Sequence, residues 1–282
     1  MNRARVRYEK FSQKDIAMAR EMLSEDIEGG EEILQVLIQE PGLFRAAFAG
    51  GKLVALAQVN EPVPQSYLNI FVSPQFRRQG IGSAMVQHFE TELLAGGTEK
   101  IRSSHRAGHP SSNSFARKLG YDPYFLSASM QRTGDPFPLE VLPVRRYTDE
   151  DYPASQSLYA RAFHDMRVRV GSFPDSMIAE PSEKERISWS ADADTRFVYE
   201  FKGEVVAYSH LSGNVLSSIA VHPDFQGFGI GRKFVMYLCN EIYRRGFSKV
   251  ELSCVVGNDA RKLYDSLGFT EKYVTQYIRK TL

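Results

Sequence analysis

The chain has 282 residues, enough for one large domain or two ordinary ones, since single cores rarely grow beyond about 250 to 300 residues. Its 43% hydrophobic and 24% charged content is typical of a globular protein and excludes large-scale disorder. The 35 Lys and Arg nearly balance the 34 Asp and Glu, so a net charge of +1 gives no global attraction for nucleic acid or an anionic membrane.

The basic N-terminus is followed by no apolar run, and no stretch approaches the roughly 18 apolar residues of a membrane span. Cys239 and Cys254 are too few for a disulfide framework and lack metal-ligand spacing, which predicts two small core residues and no metal site. A cytoplasmic location is therefore expected.

The first half opens with a predicted strand at about Arg5 to Phe11 and a helix from about Gln13 to Leu23, with Ser12 as its N-cap. Segments 43–48 and 53–58 flank a double glycine and predict a hairpin. An apolar strand, a glycine-rich turn, an amphipathic helix and a strand at 100–104 follow. A second helix then ends at a Leu-Gly-Tyr corner, after which we expect a final strand to close the copy.

The second half repeats this order. Gly82 and Gly231 lie 149 residues apart, and Gly120 and Gly268 lie 148 apart. A period near half the chain indicates duplicated domains and not a solenoid of short repeats. Three prolines in Gly134 to Pro143 interrupt regular structure. The sequence therefore predicts domains at 1–135 and 144–282, joined by a linker at 136–143.

In the second copy the counterpart of the first helix begins near Thr148, where three acidic residues suit the positive end of the helix dipole. Segments 196–201 and 205–210 flank Lys202-Gly203 as a second hairpin, and a strand follows at 249–254. Strands of mixed direction with a helix crossing between two of them predict an α/β or α+β sheet covered by helices.

In each copy a buried strand runs through a glycine-rich turn, 77–82 or 226–231, directly into a helix. The first helical N–H groups lack intrahelical acceptors, and glycine lets the backbone approach anionic oxygens, so the turn suits a diphosphate. A dinucleotide fingerprint needs a third glycine where Met85 and Phe234 stand, which makes that alternative weaker. A glycine turn that only packs helix against strand is the other alternative.

The pattern Arg/Gln-x-x-Gly-x-Gly, after a strand ending Val-x-Pro and before a helix, resembles motif A of the GCN5-related N-acetyltransferase (GNAT) superfamily. The resemblance covers nearly all of both halves and implies two tandem domains, each a mixed, mostly antiparallel sheet flanked by helices. It implies that the loops hold the pyrophosphate of acetyl-CoA through Arg77, Arg78, Gln79, Gly80, Ile81, Gly82 and Ser83, and through Gln226, Gly227, Phe228, Gly229, Ile230, Gly231 and Arg232. It also implies that the preceding strands pair with the pantetheine at Phe71 and Val72, and at Ala220 and Val221.

The resemblance also distinguishes the halves. Family enzymes commonly use a tyrosine four residues before the glycine of the Leu-Gly-aromatic corner as the acid for the departing thiolate. An asparagine six residues before that tyrosine touches the pantetheine. The second copy has Tyr264 and Asn258 there, whereas the first has Ala116 and Pro110. This implies catalysis in the C-terminal domain and a binding or structural role for the first.

We therefore expect an acetyl-CoA-dependent N-acetyltransferase that acts on an amine of a small molecule or peptide, either as a monomer with pseudo-dimeric halves or as a homodimer. The alternative is a non-catalytic acyl-CoA sensor or scaffold. Transfer of a longer acyl group or of an aminoacyl group is a weaker hypothesis. The general base stays open between His210 and Glu251, both of which are more typical of polar surface, while Trp189 is expected in the core.

Overall fold

The computed structural model describes residues 6–25, 29–61 and 63–282. The strands are β1 (Arg7–Lys10), β2 (Phe44–Ala49), β3 (Lys52–Asn60), β4 (Gln65–Val72), β5 (Lys100–Arg106), β6 (Asp122–Thr133), β7 (Val144–Arg146), β8 (Arg196–Phe201), β9 (Glu204–Ser212), β10 (Val215–Val221), β11 (Lys249–Val255) and β12 (Thr270–Thr281). The helices are α1 (Ile16–Ser24), α2 (Gly30–Gln39), α3 (Ile81–Ala95), α4 (Pro110–Lys118), α5 (Tyr152–Val170), α6 (Glu183–Ala191), α7 (Ile230–Arg244) and α8 (Ala260–Ser266). The chain divides into two compact units, the described part of Met1–Pro123 with Tyr277–Leu282, and Tyr124–Gln276.

The sheet of the first unit has the order β1-β2-β3-β4-β5, with the end of β12 beside β5. Strands β4 and β5 are parallel, and the pairs from β1 to β4 are antiparallel. Helices α1 and α2 pack with Phe44 and Leu56 in one core cluster. Helix α3 packs with Ile101 in another.

The second unit repeats this arrangement in the order β7-β8-β9-β10-β11-β6, followed by the first part of β12. Strands β10 and β11 are parallel, and the other registered pairs are antiparallel. Helix α7 buries Phe234 and Leu238 in one core cluster, and Trp189 of α6 joins Tyr208 of β9 in another. The predicted mixed, mostly antiparallel sheet flanked by helices is confirmed, as is Trp189 as a core residue.

The expectation that a final strand closes its own copy is wrong. Strand β6 pairs with β11, from Ser127 opposite Val255 to Thr133 opposite Lys249. The end of β12 belongs to the first unit, where Lys280 forms an ion pair with Glu90 at 2.7 Å. Because the halves repeat one another, their sheet edges offer similar partners, and the strand pattern does not say which edge a strand joins.

The predicted helix starts at Ser12 and Thr148 are confirmed. The Ser12 N–H and hydroxyl both donate to Asp15, and those of Thr148 donate to Asp151. Each cap is followed by one 3-10 turn before the α-helix begins. Helix α2 was not predicted, and of the predicted first strand Arg5 lies outside the described residues.

Candidate active site

Two loops of nearly identical backbone conformation precede α3 and α7. Arg78 and Gly80 have φ of 62° and 85°, and Gly227 and Gly229 have φ of 83° and 81°. Left-handed residues alternating with ordinary ones turn successive N–H groups toward one side, a concavity that binds anions. The loop N–H groups and the free N–H groups of the following helix turn can together hold a diphosphate.

Space for a ligand lies in front of these loops. A Cβ placed on Gly80, Gly227 or Gly229 would meet nothing within 4 Å, and residues 77–80 and 226–229 are exposed. Ile81 and Ile230, the first residues of the helices, bury their side chains in the cores, so only their backbone can serve a ligand. The side chain of Phe228 is 78% exposed and available to cover one.

The first residue of each loop fastens it to the strand before it. The Arg77 Nε donates to the Val72 carbonyl at 2.8 Å, and the Gln226 Nε2 donates to the Val221 carbonyl at 3.0 Å. Arg and Gln thus make the same bond at this position in the two copies. In the second loop Arg232 donates to Ser266 at 2.8 Å, which ties the start of α7 to the end of α8.

Beside the second loop, β10 and β11 pair at only two registered positions, Val215 with Glu251 and Leu216 with Leu252. A register shift at Ser217 interrupts the pairing of β10 with β9 at the same level. Bulges of this kind bend a strand and re-aim its groups, often next to active sites. Beyond them β10 and β11 have no further paired residues, which leaves a gap in the hydrogen bonding of the sheet.

The backbone groups that face this gap follow from strand alternation. His222 N–H donates to Val206 of β9 at 2.9 Å, so Ala220, two residues earlier, also turns toward β9. Ile219 and Val221 therefore turn their N–H and C=O groups into the gap. Of the two residues predicted to contact pantetheine here, Val221 turns its backbone toward the gap, whereas Ala220 is buried against the α5 and α6 layer. Ile219, which was not predicted, also turns its backbone toward the gap.

The corresponding gap in the first half is bridged by Asn69. Its Oδ1 accepts a hydrogen bond from the Ser104 N–H at 2.9 Å and another from the Ser103 hydroxyl at 3.1 Å, both on β5. Strand β4 pairs with β3 without a register shift from Tyr67 to Val72. By the same alternation Val72 turns toward β5 and Phe71 toward β3, since the Ser73 N–H donates to the Val54 carbonyl at 3.0 Å. A polar side chain thus fills the first gap.

Tyr264 lies on α8 and is 8% exposed, with its ring against Phe269 at 5.9 Å. Burial, and then the nearby Cys254, raise the pKa of Tyr264 well above its usual value. The hydroxyl therefore carries its proton at neutral pH, as a group that is to act as an acid must. In the first half Ala116 occupies the matching helix position, and Phe115 packs within 3.2 Å of where a Cβ on Gly82 would lie.

Asn258 helps to start α8, since its Oδ1 accepts the Ala260 N–H at 3.1 Å. In the first half α4 begins instead at Pro110. Glu251 is held by Lys249 at 2.9 Å and by Lys272 at 3.3 Å. These cations outweigh burial and lower the pKa of Glu251, so this carboxylate is a weak proton acceptor.

Both cysteines are buried and free. Burial raises the pKa of Cys239 to about 12 and that of Cys254 to about 11, which makes both poor nucleophiles at neutral pH. Among residues 6–25, 29–61 and 63–282, no cluster of His, Cys, Asp or Glu side chains is suited to a metal ion. Within the same ranges no helix has the length and apolar character needed to cross a membrane.

Comparison with known proteins finds one family match in each half of the chain. The acetyltransferase (GNAT) family model matches residues 12–121 and again residues 147–269. Mycothiol acetyltransferase of Acidothermus cellulolyticus is 26% identical over 238 residues, covering 74% of this chain and 69% of the relative. The ribosomal protein bS18-alanine N-acetyltransferase of Escherichia coli K12 is 34% identical over 115 residues, covering 39% of this chain and 73% of the relative.

Solved structures share the fold along the whole chain. A GCN5-related N-acetyltransferase from Sphaerobacter thermophilus has a TM-score of 0.73 at 20% identity, covering 100% of this chain and 96% of that one. A tandem GNAT protein from the clavulanic acid biosynthesis pathway has a TM-score of 0.65 at 14% identity, covering 98% of both chains.

Proposed function

The chain belongs to the acetyltransferase (GNAT) family and is an N-acetyltransferase with two family domains, and from that premise we propose that its C-terminal domain moves the acetyl group of acetyl-CoA to an amine. One observation carries the proposal. In the second half the loop with left-handed residues precedes α7, the pairing of β10 with β11 stops beside it, and the buried Tyr264 stands where the first half has Ala116. In this proposal the domains are 1–135 and 144–282, joined by 136–143.

The residues around the second loop fit coenzyme A, because a diphosphate needs converging N–H groups without Cβ atoms in front of them. Gly227 to Arg232 would supply those groups, with Gln226 holding the loop in place. Val221 and Ile219 would pair with the amide-containing arm as a neighbouring strand does. The bound cosubstrate supplies an activated acetyl group, and Tyr264 would donate its phenolic proton to the departing sulfur.

The first half has the same loop, so we propose a binding or structural role for it. Arg77 to Ser83, with Val72 beside them, would hold a CoA diphosphate if one binds. Asn69 occupies the place of the arm, and Ala116 provides no acid. A family domain that keeps its loop but lacks an open gap and an acid is poorly suited to acetyl transfer.

The acceptor is an amine of a small molecule or of a peptide. Two relatives are named for mycothiol and for the alanine of a ribosomal protein, which represent these two classes. The side chains of α5 and α6 form the layer next to the second gap and would contact the acceptor. The proposal places the enzyme in the cytoplasm, as a monomer of two similar halves or as a homodimer.

The test is release of free CoA thiol from acetyl-CoA with a panel of small amines and of peptides that begin with alanine. Tyr264→Phe keeps the ring and removes the proton, so we expect kcat to fall by about 10²- to 10⁴-fold with little change in acetyl-CoA affinity. Tyr237→Phe is the matched control, since it removes a partly buried hydroxyl from the same core and should keep full activity.

The alternative is an acyl-CoA sensor or scaffold. It predicts tight binding of acetyl-CoA with no thiol release for any amine in the panel. It also predicts that Tyr264→Phe and the wild type behave alike.

A further inference from the structure

A charged cluster occupies the α5 and α6 side of the second sheet. Asp192, directly after α6, receives the Arg196 Nε at 2.7 Å and the His210 Nε2 at 3.1 Å. Arg196 lies over the Trp189 ring at 4.8 Å and donates a hydrogen bond to the Tyr208 hydroxyl. Trp189 stacks on Tyr208 at 4.6 Å, so aromatic rings hold the cluster in place.

This cluster adjoins the gap. His210 of β9 pairs in register with Ser218 of β10, the first paired residue after the bulge and therefore at the mouth of the gap. Directly hydrogen-bonded antiparallel pairs have Cα atoms about 5.5 Å apart. His210 shares its sheet face with Tyr208, two residues away, and Tyr208 packs in the α5 and α6 layer.

The acid lies on the other face. Tyr264 packs with Cys254 and Phe234 in the α7 and α8 core cluster. A thioester in the gap would therefore have Tyr264 on one side of the sheet and His210 on the other. An amine that approaches from the α5 and α6 side meets His210, and the sulfur departs toward Tyr264.

The protonation state of His210 suits a base. Two charged groups face it, Asp192 from the turn after α6 and Arg196 from β8, which pairs with His210 in register. Burial and then Arg196 lower the pKa of His210, in spite of the opposing effect of Asp192. The imidazole is therefore neutral at pH 7. Because Nε2 carries the proton donated to Asp192, the Nδ1 lone pair is the one that can accept.

We propose that His210 is the catalytic base for the amine, with Asp192 as a positioning residue that fixes its ring and tautomer, an inference that rests on the proposed acetyl transfer. The amine nitrogen, entering as the neutral form, bonds to the acetyl carbonyl carbon as the carbon–sulfur bond breaks and its electron pair leaves on sulfur. The nitrogen loses one proton to His210 Nδ1, directly or through one water. Tyr264 gives its proton to sulfur, and solvent returns the proton from His210 to Tyr264.

The first half supports this assignment by contrast. Gln58 stands where His210 stands, opposite Asn69 in the strand pairing, and Asn69 donates to it at 3.4 Å. An amide cannot accept a proton at neutral pH. The half that lacks the acid and has a filled gap thus lacks the base as well.

The test is the pH dependence of kcat for wild type, His210→Gln and Asp192→Asn, with the best amine of the panel and saturating acetyl-CoA. We expect His210→Gln to lower kcat by about 100-fold or more at pH 7 while the acetyl-CoA dissociation constant stays within about twofold. The wild-type rate should fall as pH drops through the depressed pKa of His210, and this limb should vanish in His210→Gln. Asp192→Asn should move the limb and lower kcat by a smaller factor.

His88→Gln is the control, since His88 lies on α3 of the first unit and is stacked on Tyr8. A wild type that transfers acetyl, with His210→Gln equal to it at every pH, overturns the base assignment and leaves the acetyltransferase intact. A wild type that transfers acetyl to no amine overturns both proposals. Equal melting temperatures show that a loss in His210→Gln is chemical and not a loss of fold.

Discussion

The two halves share a loop and differ in the strand beside it. Both loops place left-handed residues at corresponding positions, 78 and 80 or 227 and 229, ahead of a helix. The first gap holds the Asn69 amide, whereas the second lies next to a bulge at Ser217 and has Ser218 at the position that corresponds to Asn69. Under the proposed function, the comparison teaches that a glycine loop indicates where an anion can bind, while the neighbouring strand decides whether a thioester fits beside it.

The largest effect on binding is expected from the second loop. Gly229→Val places a branched side chain at φ 81° and in the open space before α7, so the acetyl-CoA dissociation constant should rise at least tenfold, as titration calorimetry would measure. Gly203→Val is the matched control, because Gly203 has φ 83° and open surroundings in the β8–β9 hairpin. It should lose similar stability, about 1 to 2 kcal/mol, and keep its affinity.

If both valine variants bind acetyl-CoA as the wild type does, the second loop is not the diphosphate site.

The number of acetyl-CoA molecules bound by the wild type sharpens the comparison further. One molecule indicates that Asn69 closes the first half to the whole ligand, and two indicate that the first loop holds a diphosphate without its arm.

A smaller effect, on the free energy of unfolding, is expected from substitutions of the left-handed residues in the two loops. Arg78 holds φ 62°, a conformation that costs a non-glycine residue about 1 kcal/mol, whereas its counterpart Gly227 adopts φ 83° with little strain. Arg78→Gly should therefore raise the free energy of unfolding by up to about 1 kcal/mol, less the entropy that glycine adds to the unfolded chain. Gly227→Ala should lower it by about the same amount in urea titrations.

Gln79→Gly is the control for the first of these changes, since Gln79 lies next to Arg78 outside the left-handed region and should only lose stability. An Arg78→Gly variant that is destabilised as much as Gln79→Gly would mean that the Arg78 side chain contributes more than its backbone strain costs.

The backbone geometry of the two loops was predictable because it depends on local requirements. The loops were predicted from glycines that turn left-handed or stay clear of a ligand, whereas Tyr264 was predicted from the resemblance to the GNAT family, which places an acid at that distance from the Leu-Gly-Phe corner. Asn69 was not singled out, since a polar residue in a strand shows its bridging role only when the opposite strand is known. The pairing of Asp192 with His210 joins residues 18 positions apart through a helix end and a hairpin, which no periodicity encodes.

The fold, too, was predictable only where it depends on residues close together in the sequence. Hairpins, caps and the order of elements follow from neighbouring residues, whereas the bulge at Ser217 and the partners of β6 and β12 depend on long-range pairing. A duplicated sequence makes that pairing ambiguous, because each final strand finds a similar edge in both halves.

The most direct test of the central claim, that the open second gap is where acetyl transfer occurs, exchanges the residues that distinguish the gaps. Ser218→Asn should let an amide reach β11 as Asn69 reaches β5, and kcat/KM for acetyl-CoA should fall by about 100-fold, because displacements near 1 Å at a reacting centre cost that much. Asn69→Ser should leave the steady-state rate within about twofold of the wild type. Full activity in Ser218→Asn together with its loss in Asn69→Ser would contradict the account and move the chemistry to the first half.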